Sequence, residues 1–189
     1  MTDCAASPDR LPPHAHSIAP VVRAVAAGTL DGPHATDADH GDWRITLHAL
    51  DVAATLPAAE PGMTDQRIVA LDAPVQMHCG DTTTDLLRLQ LAAAPPACVF
   101  RTDTATRLVR LQSRVPQALE LIARPLQGPM LLPAHAHWLA WLLAGRAQWQ
   151  HGDARAELTL DEPTWLPADG MRLRIDGGGE LLLLRLGTP

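Results

Sequence analysis

Apolar and polar residues alternate in short runs along most of this chain. The clearest run, residues 42–50, has one face that starts with Trp43 and a second face made of Arg44, Thr46 and His48. Side chains of a β-strand point alternately to its two faces, so this period of two indicates a half-buried strand. Similar runs predict strands at residues 18–28, 66–72, 75–79, 85–91, 98–103, 107–113 and 118–125. No segment keeps a helical period over about ten residues, and the close spacing of the strands favours an all-β sandwich or barrel.

The later part of the chain continues this pattern. Residues 130–149 are apolar enough for a helix, but Pro133 and Gly145 interrupt them, so two or three strands are predicted instead. Further strands are predicted at residues 154–161, 171–176 and 179–187, and the glycines at 177–179 predict a turn before the last one.

These segments group into two successive β units. Domains commonly hold about 100–150 residues, so a chain of 189 residues has room for two small units. We expect a disordered lead-in at residues 1–17, a first unit at residues 18–125 and a smaller second unit at residues 126–189, joined near residues 125–129.

Composition narrows the class of protein. The chain is 47% hydrophobic and 19% charged, with a formal net charge of −6, which is typical of a globular protein and argues against nucleic acid as a partner. No cationic and apolar leader opens the sequence, and no apolar run reaches the length of about 18 residues that a membrane span needs. We therefore expect a cytoplasmic protein without a membrane partner.

The cysteines point to the same compartment. The sequence has three cysteines, Cys4, Cys79 and Cys98, which is an odd number, and no two of them are spaced as C-x-x-C. This usage fits a reducing compartment rather than a disulfide scaffold. Cys79 and Cys98 are accordingly predicted to be small buried side chains without a covalent partner.

His135 and His137 form the most suggestive chemical motif. Two positions apart on a strand, they would point to the same side, and the later Pro167-x-x-Gly170 gives the order of half-motifs that resembles a cupin barrel. A metal-binding cupin adds an acidic residue and a third histidine, but this chain has Trp141, Leu142 and Leu173 at those places. Protein metal sites need about three or four ligands, so we expect no metal and no other cofactor, with the two histidines as weak candidates only.

Several longer motifs carry a resemblance to a known family. Residues 42–47, Pro61-Gly62 followed by Asp65 and Arg67, residues 96–100 and residues 119–124 resemble elements of the HutD/Ves family of double cupins. The resemblance spans residues 18–187, although the family's N-terminal W-K-N-G-G-G segment has no counterpart, so the chain resembles a divergent member. It implies a bicupin of two double-stranded β-helices and a regulatory role in histidine utilisation or a related stress response.

A cupin without metal ligands is a concave barrel in which a few polar groups can hold a small molecule. Guanidinium groups aimed into such a barrel would bind a carboxylate, while exposure on the outer face is the alternative for each of them. The strand arginines are Arg44, Arg67, Arg88, Arg110 and Arg124. Combined with the family-matching positions, they predict a carboxylate site in the first unit made of Trp43, Arg44, Arg67, Glu120 and Arg124.

The leading hypothesis is thus that the protein is a non-enzymatic bicupin that binds a small carboxylate. Two other classes of function stay open. One is a metal-independent isomerase or epimerase, with His135 or His137 as base and Glu120 as acid. The other is a protein-interaction scaffold whose contact surface is marked by Trp138, Trp141, Trp149 and Trp165. A homodimer also stays open.

Overall fold

In a computed structural model, the chain is described for residues 22–28, 41–51, 53–56, 61–95, 98–115 and 119–186. These residues form strands and no helix, which confirms the all-β prediction. Within this part of the chain, no helix is long and apolar enough to cross a membrane. The strands are β1 (Val22–Gly28), β2 (Trp43–Leu50), β3 (Ala53–Thr55), β4 (Asp65–Ala70), β5 (Val75–Cys79), β6 (Thr82–Leu86), β7 (Leu91–Ala93), β8 (Val99–Arg101), β9 (Thr106–Ser113), β10 (Leu119–Gln127), β11 (Met130–Leu132), β12 (His137–His151), β13 (Ala154–Glu157), β14 (Pro163–Trp165) and β15 (Leu173–Leu186).

The strands make three antiparallel sheets. A five-stranded sheet has the order β1-β2-β9-β4-β7, and a four-stranded sheet has the order β3-β8-β5-β6. Their inner faces share one apolar core that includes Ile68 and Leu108 from the larger sheet and Met77 and Phe100 from the smaller one, so these two sheets enclose the first barrel. A six-stranded sheet of order β10-β15-β12-β13, with β11 on β15 and β14 on β12, surrounds a separate core and forms the second barrel.

A third apolar core joins the two barrels. Alternate side chains of the five-stranded sheet, among them Trp43 and Val109, pack with Leu139, Trp141 and Leu184 of the six-stranded sheet. Trp43 also contacts Trp165 edge to face, with 5.9 Å between the ring centroids. The five-stranded sheet is therefore covered on both faces, by its own barrel on one side and by the second unit on the other.

Two arginine ion pairs span the same junction. Arg107 of β9 donates to both carboxylate oxygens of Asp72 at 2.9 Å and to both oxygens of Asp161 in the second unit at 2.7 Å. The hydrogen bonds from Arg107 hold the pKa of Asp72 below its ordinary value. Arg88 makes a two-pronged pair with Glu180, which likewise lowers the pKa of that carboxyl group. Paired forks of this kind fix the orientation of the two units as well as their contact.

The long strands β12 and β15 turn a corner at their glycines. β12 runs unbroken past Gly145 with a bulge between Leu142 and Ala144, and β15 runs unbroken through positions 177–179. The predicted turn at these three glycines is therefore wrong. Gly145 has a φ of +88°, and a Cβ there would lie 2.0 Å from the carbonyl oxygen of Gly178, so only glycine allows the two backbones to approach this closely.

The boundary predicted near residue 125 lies within β10. Residues 119–125, which the sequence reading assigns to the first unit, lie in β10, and β10 pairs with β15 along its whole length in the second sheet. The alternation of residues 154–161 predicts a half-buried strand, and this is wrong for β13, whose side chains are all exposed. The lead-in predicted at residues 1–17 lies outside the described residues.

The expectation of unpaired cysteines is wrong. Cys79 at the end of β5 and Cys98 just before β8 form a disulfide with their Cα atoms 4.4 Å apart. The β5–β8 register pairs His78 with Val99, so the next step places the two cysteines directly opposite each other. An antiparallel pair without mutual hydrogen bonds has a Cα separation of about 4.5 Å, which is close enough for a disulfide. The odd number of cysteines in the sequence does not indicate whether these two are paired.

We predict that the Cys79–Cys98 bond stabilises the first barrel. The two cysteines are 19 positions apart, and closing a loop of similar length stabilises a protein by about 3 kcal/mol. Dithiothreitol should therefore lower the free energy of unfolding measured in urea by about this amount. Cys98→Ala should abolish the effect of the reductant and Cys4→Ala should leave it intact. An unchanged urea midpoint of the wild type in the presence of dithiothreitol would contradict this role.

Candidate functional site

Polar side chains occupy part of the inner face of the first barrel. Five of them lie on neighbouring strands of the five-stranded sheet and are buried, and we call them the interior cluster: Thr46, His48, Gln66, Arg110 and Gln112. His48 is 1% exposed, Arg110 3% and Gln112 4%, so water cannot solvate them from outside. Buried polar groups of this kind need partners, because an unmade hydrogen bond in the interior is costly.

The register of the sheet brings these side chains together. Arg44 of β2 is opposite Gln112 of β9, which is opposite Gln66 of β4. One step along, Thr46 is opposite Arg110. Residues directly opposite in an antiparallel sheet point to the same side, and alternation along β9 puts Leu108, a member of the first barrel's core, on that side too. The cluster therefore continues the apolar lining of the barrel as a polar patch.

Hydrogen bonds inside the cluster satisfy only some of its atoms. Nε of Arg110 donates to Oε1 of Gln66 at 2.9 Å, and the hydroxyl of Thr46 lies 2.7 Å from Nε2 of His48. Among the described residues, Nδ1 of His48 and Nε2 of Gln112 are buried and have no hydrogen-bond partner. These two atoms are the unmet hydrogen-bonding capacity of the barrel interior.

The electrostatics of the cluster favour a negative guest. Burial, aided by the charge of Arg110, lowers the pKa of His48 from 6.5 to about 4, so the imidazole is neutral near neutral pH. When the Thr46 hydroxyl donates to Nε2, the ring proton resides on Nδ1, which then becomes a donor. In that tautomer the cluster presents the Nδ1–H of His48, the amide donor of Gln112 and the Arg110 cation on one face of the sheet.

Only one of the five residues predicted from sequence shares this face. Arg44 stands in the row of Gln112 and Gln66, whereas Trp43 is fully buried in the core between the barrels. Arg67 alternates with Gln66 and Ile68 on β4 and is only partly buried. On β10, Arg124 and Glu120 are exposed, and Glu120 pairs with Arg185 at 3.1 Å. The structure thus does not bring the five together in one place.

The histidine pair has a different geometry from the one predicted. His137 begins β12, but His135 lies in the preceding turn with a φ of +66°, so strand alternation does not place both side chains on one face. In the part of the chain that the structure describes, no group of three or more His, Cys, Asp or Glu side chains is arranged to hold a metal ion. Freedom from metal remains a prediction, which elemental analysis of the purified protein would test.

Sequence reasoning identified the strand but not the site. The alternation of β2 correctly places Arg44, Thr46 and His48 on one face, yet a polar face reads by default as the solvent face. Gln66 and Gln112 gave no signal as single residues. The one available indication is in the strand at residues 107–113, where Arg110 and Gln112 stand two positions apart, as the polar residues of β2 do.

Solved structures show the same architecture at low sequence identity. A conserved protein of unknown function from Pseudomonas aeruginosa matches with a TM-score of 0.69 at 17% identity, over 90% of each chain. A cupin 2 conserved barrel domain protein from Leptotrichia buccalis matches with a TM-score of 0.55 at 10% identity, over 93% of this chain and 92% of its own. HutD from Pseudomonas fluorescens matches with a TM-score of 0.57 at 15% identity, over 82% of this chain and 83% of its own.

The chain therefore has the cupin fold, and its two barrels confirm the predicted bicupin arrangement. HutD shares this fold, as the sequence resemblance implied. No family model matches the sequence, and no curated protein matches it.

We predict that His48 makes stability depend on pH. Its folded pKa of about 4 lies below the ordinary 6.5, so the unfolded chain binds more protons between these values and stability falls as the pH drops through that window. The contribution of this one group is about 3 kcal/mol. Urea unfolding of His48→Gln should show a flatter pH dependence than the wild type, with His137→Gln as the matched histidine replacement. Equal slopes for wild type and His48→Gln would show that the imidazole is not buried as a neutral group.

Proposed function

We propose that this bicupin is a non-enzymatic protein that binds a small carboxylate in the interior cluster of its first barrel. The observation that carries the proposal is the pair of buried nitrogens, Nδ1 of His48 and Nε2 of Gln112, left without partners beside Arg110. A carboxylate offers oxygen acceptors to both donors and a negative charge to the guanidinium.

The energetics favour an anion over a neutral guest. The guanidinium of Arg110, whose Nε donates to Oε1 of Gln66, places a positive charge beside these two nitrogens. Hydrogen bonds in which one partner is charged contribute about 1.5–3 kcal/mol each. Satisfying two orphan donors with one carboxylate is therefore enough to support selective binding of a small anion.

The biological setting is part of the same proposal. The chain resembles the HutD/Ves family at residues 42–47 and 119–124, and HutD has the same fold. A regulatory role in histidine utilisation, exercised by sensing or buffering a carboxylate intermediate, follows from that resemblance. The HutD structure is described for a formate condition, and formate is the smallest carboxylate, so it is a suitable first probe.

The experiment measures formate and acetate binding by calorimetry and by thermal shift. The wild type should bind at least one of these anions, and Gln112→Leu should weaken binding by about tenfold or more, because it removes one charge-assisted hydrogen bond. This change keeps the side-chain volume and removes an unpaired donor, so the variant should fold with undiminished stability. Gln127→Leu, at an exposed position of β10, is the matched control. Unchanged affinity in Gln112→Leu, or no binding by the wild type, would overturn the proposal.

Two arginine variants locate the anion. Arg44 shares the row of Gln112, whereas Arg67 lies on the alternate face of β4. If the anion sits inside the barrel, Arg44→Ala should weaken formate binding more than Arg67→Ala does. Loss of binding in Arg67→Ala alone would instead favour the site predicted from sequence, around Trp43, Arg67, Glu120 and Arg124.

A further inference from the structure

A second cleft lies at the glycine corner of the six-stranded sheet, away from the interior cluster. It has a volume of about 570 Å³, and we call it the outer cleft. Small-molecule sites in proteins commonly measure about 300–1,000 Å³, so its size is adequate for a metabolite. The residues that line it are Leu142, Gly145, Arg146, Ala147, Gln148, Glu157, Leu158, Leu160, Asp176 and Gly177.

The register of the sheet sets out the charged groups of the outer cleft. Glu157 of β13, Gln148 of β12 and Asp176 of β15 are directly opposite one another in a single row. Arg146 stands two positions before Gln148 on the same face and is opposite Gly178, which has no side chain to cover it. The glycine corner thus leaves open space beside the guanidinium.

The charges of Arg146 and Glu157 are not used by the fold. Glu157 and Arg146 are diagonal neighbours across β12 and β13, a relation that separates residues by roughly 7–8 Å. Both side chains are exposed, and among the described residues neither of them makes an ion pair. The other acid in the row, Asp176, is already paired with Arg174. One cation and one anion therefore face the cleft a short distance apart.

An apolar wall completes the lining. Leu142 and Leu158 belong to the core of the second barrel, and Leu160 is 56% exposed although it is a leucine. Leu160 is held next to β12 by an isolated bridge to Leu142, so its exposure is fixed by the fold. Ligand pockets are lined mainly by apolar side chains, so this wall suits an aliphatic group.

We propose that the outer cleft binds a free amino acid with an aliphatic side chain. Its carboxylate pairs with Arg146, its ammonium group pairs with Glu157, and its side chain packs on Leu160. A zwitterion satisfies both unused charges at once, which a simple carboxylate of the kind assigned to the interior cluster does not. The two sites differ in position and in ligand, so each stands or falls separately.

The test uses L-leucine as the probe and two analogues that each lack one charge. Calorimetry on the full chain should show binding of L-leucine, with 4-methylpentanoate and 3-methylbutylamine each about tenfold weaker or more, because each loses one charge-assisted pair. Arg146→Gln and Glu157→Gln should each weaken L-leucine binding to a similar extent. Arg155→Gln, an exposed position on β13 outside the lining, should bind as the wild type does.

Other outcomes overturn the proposal. Absence of L-leucine binding by the wild type would exclude the site, and equal binding of 4-methylpentanoate would reduce it to a carboxylate site without a role for Glu157. Loss of L-leucine binding in Gln112→Leu, with Arg146→Gln unaffected, would move the ligand to the first barrel.

Circular dichroism spectra that match the wild type would show that the substitutions at these exposed positions leave the fold intact.

Discussion

Burial of the five-stranded sheet on both faces is the constraint on which the rest of this protein depends. β9 shows it most clearly, because Val109 and Leu111 face the second unit while Leu108 and Arg110 face the interior of the first barrel. Each large apolar side chain that is fully buried contributes about 1.5–3 kcal/mol. The second unit therefore acts as the outer wall of the first, and separating them would expose Trp43 and its neighbours to water.

Double burial also explains why the polar side of β2 matters. In a sheet with one solvated face, Arg44, Thr46 and His48 would lie in water. Here both faces are covered, so Thr46 and His48 lie in an interior of low dielectric constant. In such an interior an unpaired donor is destabilising and electrostatic interactions are stronger than in water. The same covering that stabilises the fold keeps the unpaired nitrogens of His48 and Gln112 away from bulk water.

The sequence predicts which residues form strands better than it predicts which of their side chains are buried. The period of two found β2 and β9 because pleating forces alternation whatever surrounds the strand. It could not say which face meets water, since that depends on the second unit, and so the roles of His48 and Gln112 were missed. The glycines at 177–179 indicate a turn because glycine is common in turns, although β15 needs Gly177 and Gly179 for its close approach to β12. The Cys79–Cys98 bond depends on the β5–β8 register, which only the assembled sheet defines.

The junction between the barrels also shapes the outer cleft. Arg107 of β9 clamps Asp161 through both carboxylate oxygens, and the indole of Trp141 donates to the same group at 3.2 Å. The backbone N–H of Asp161 donates to the carbonyl of Leu142 at 2.8 Å, so the segment that carries Leu160 is tied both to the first barrel and to β12. Because this wall is already fixed, little conformational entropy would be lost there on ligand binding. A low entropic cost allows even a small contact area to give useful affinity. β9 therefore contributes Arg110 to the interior cluster and Arg107 to the contact that holds Asp161.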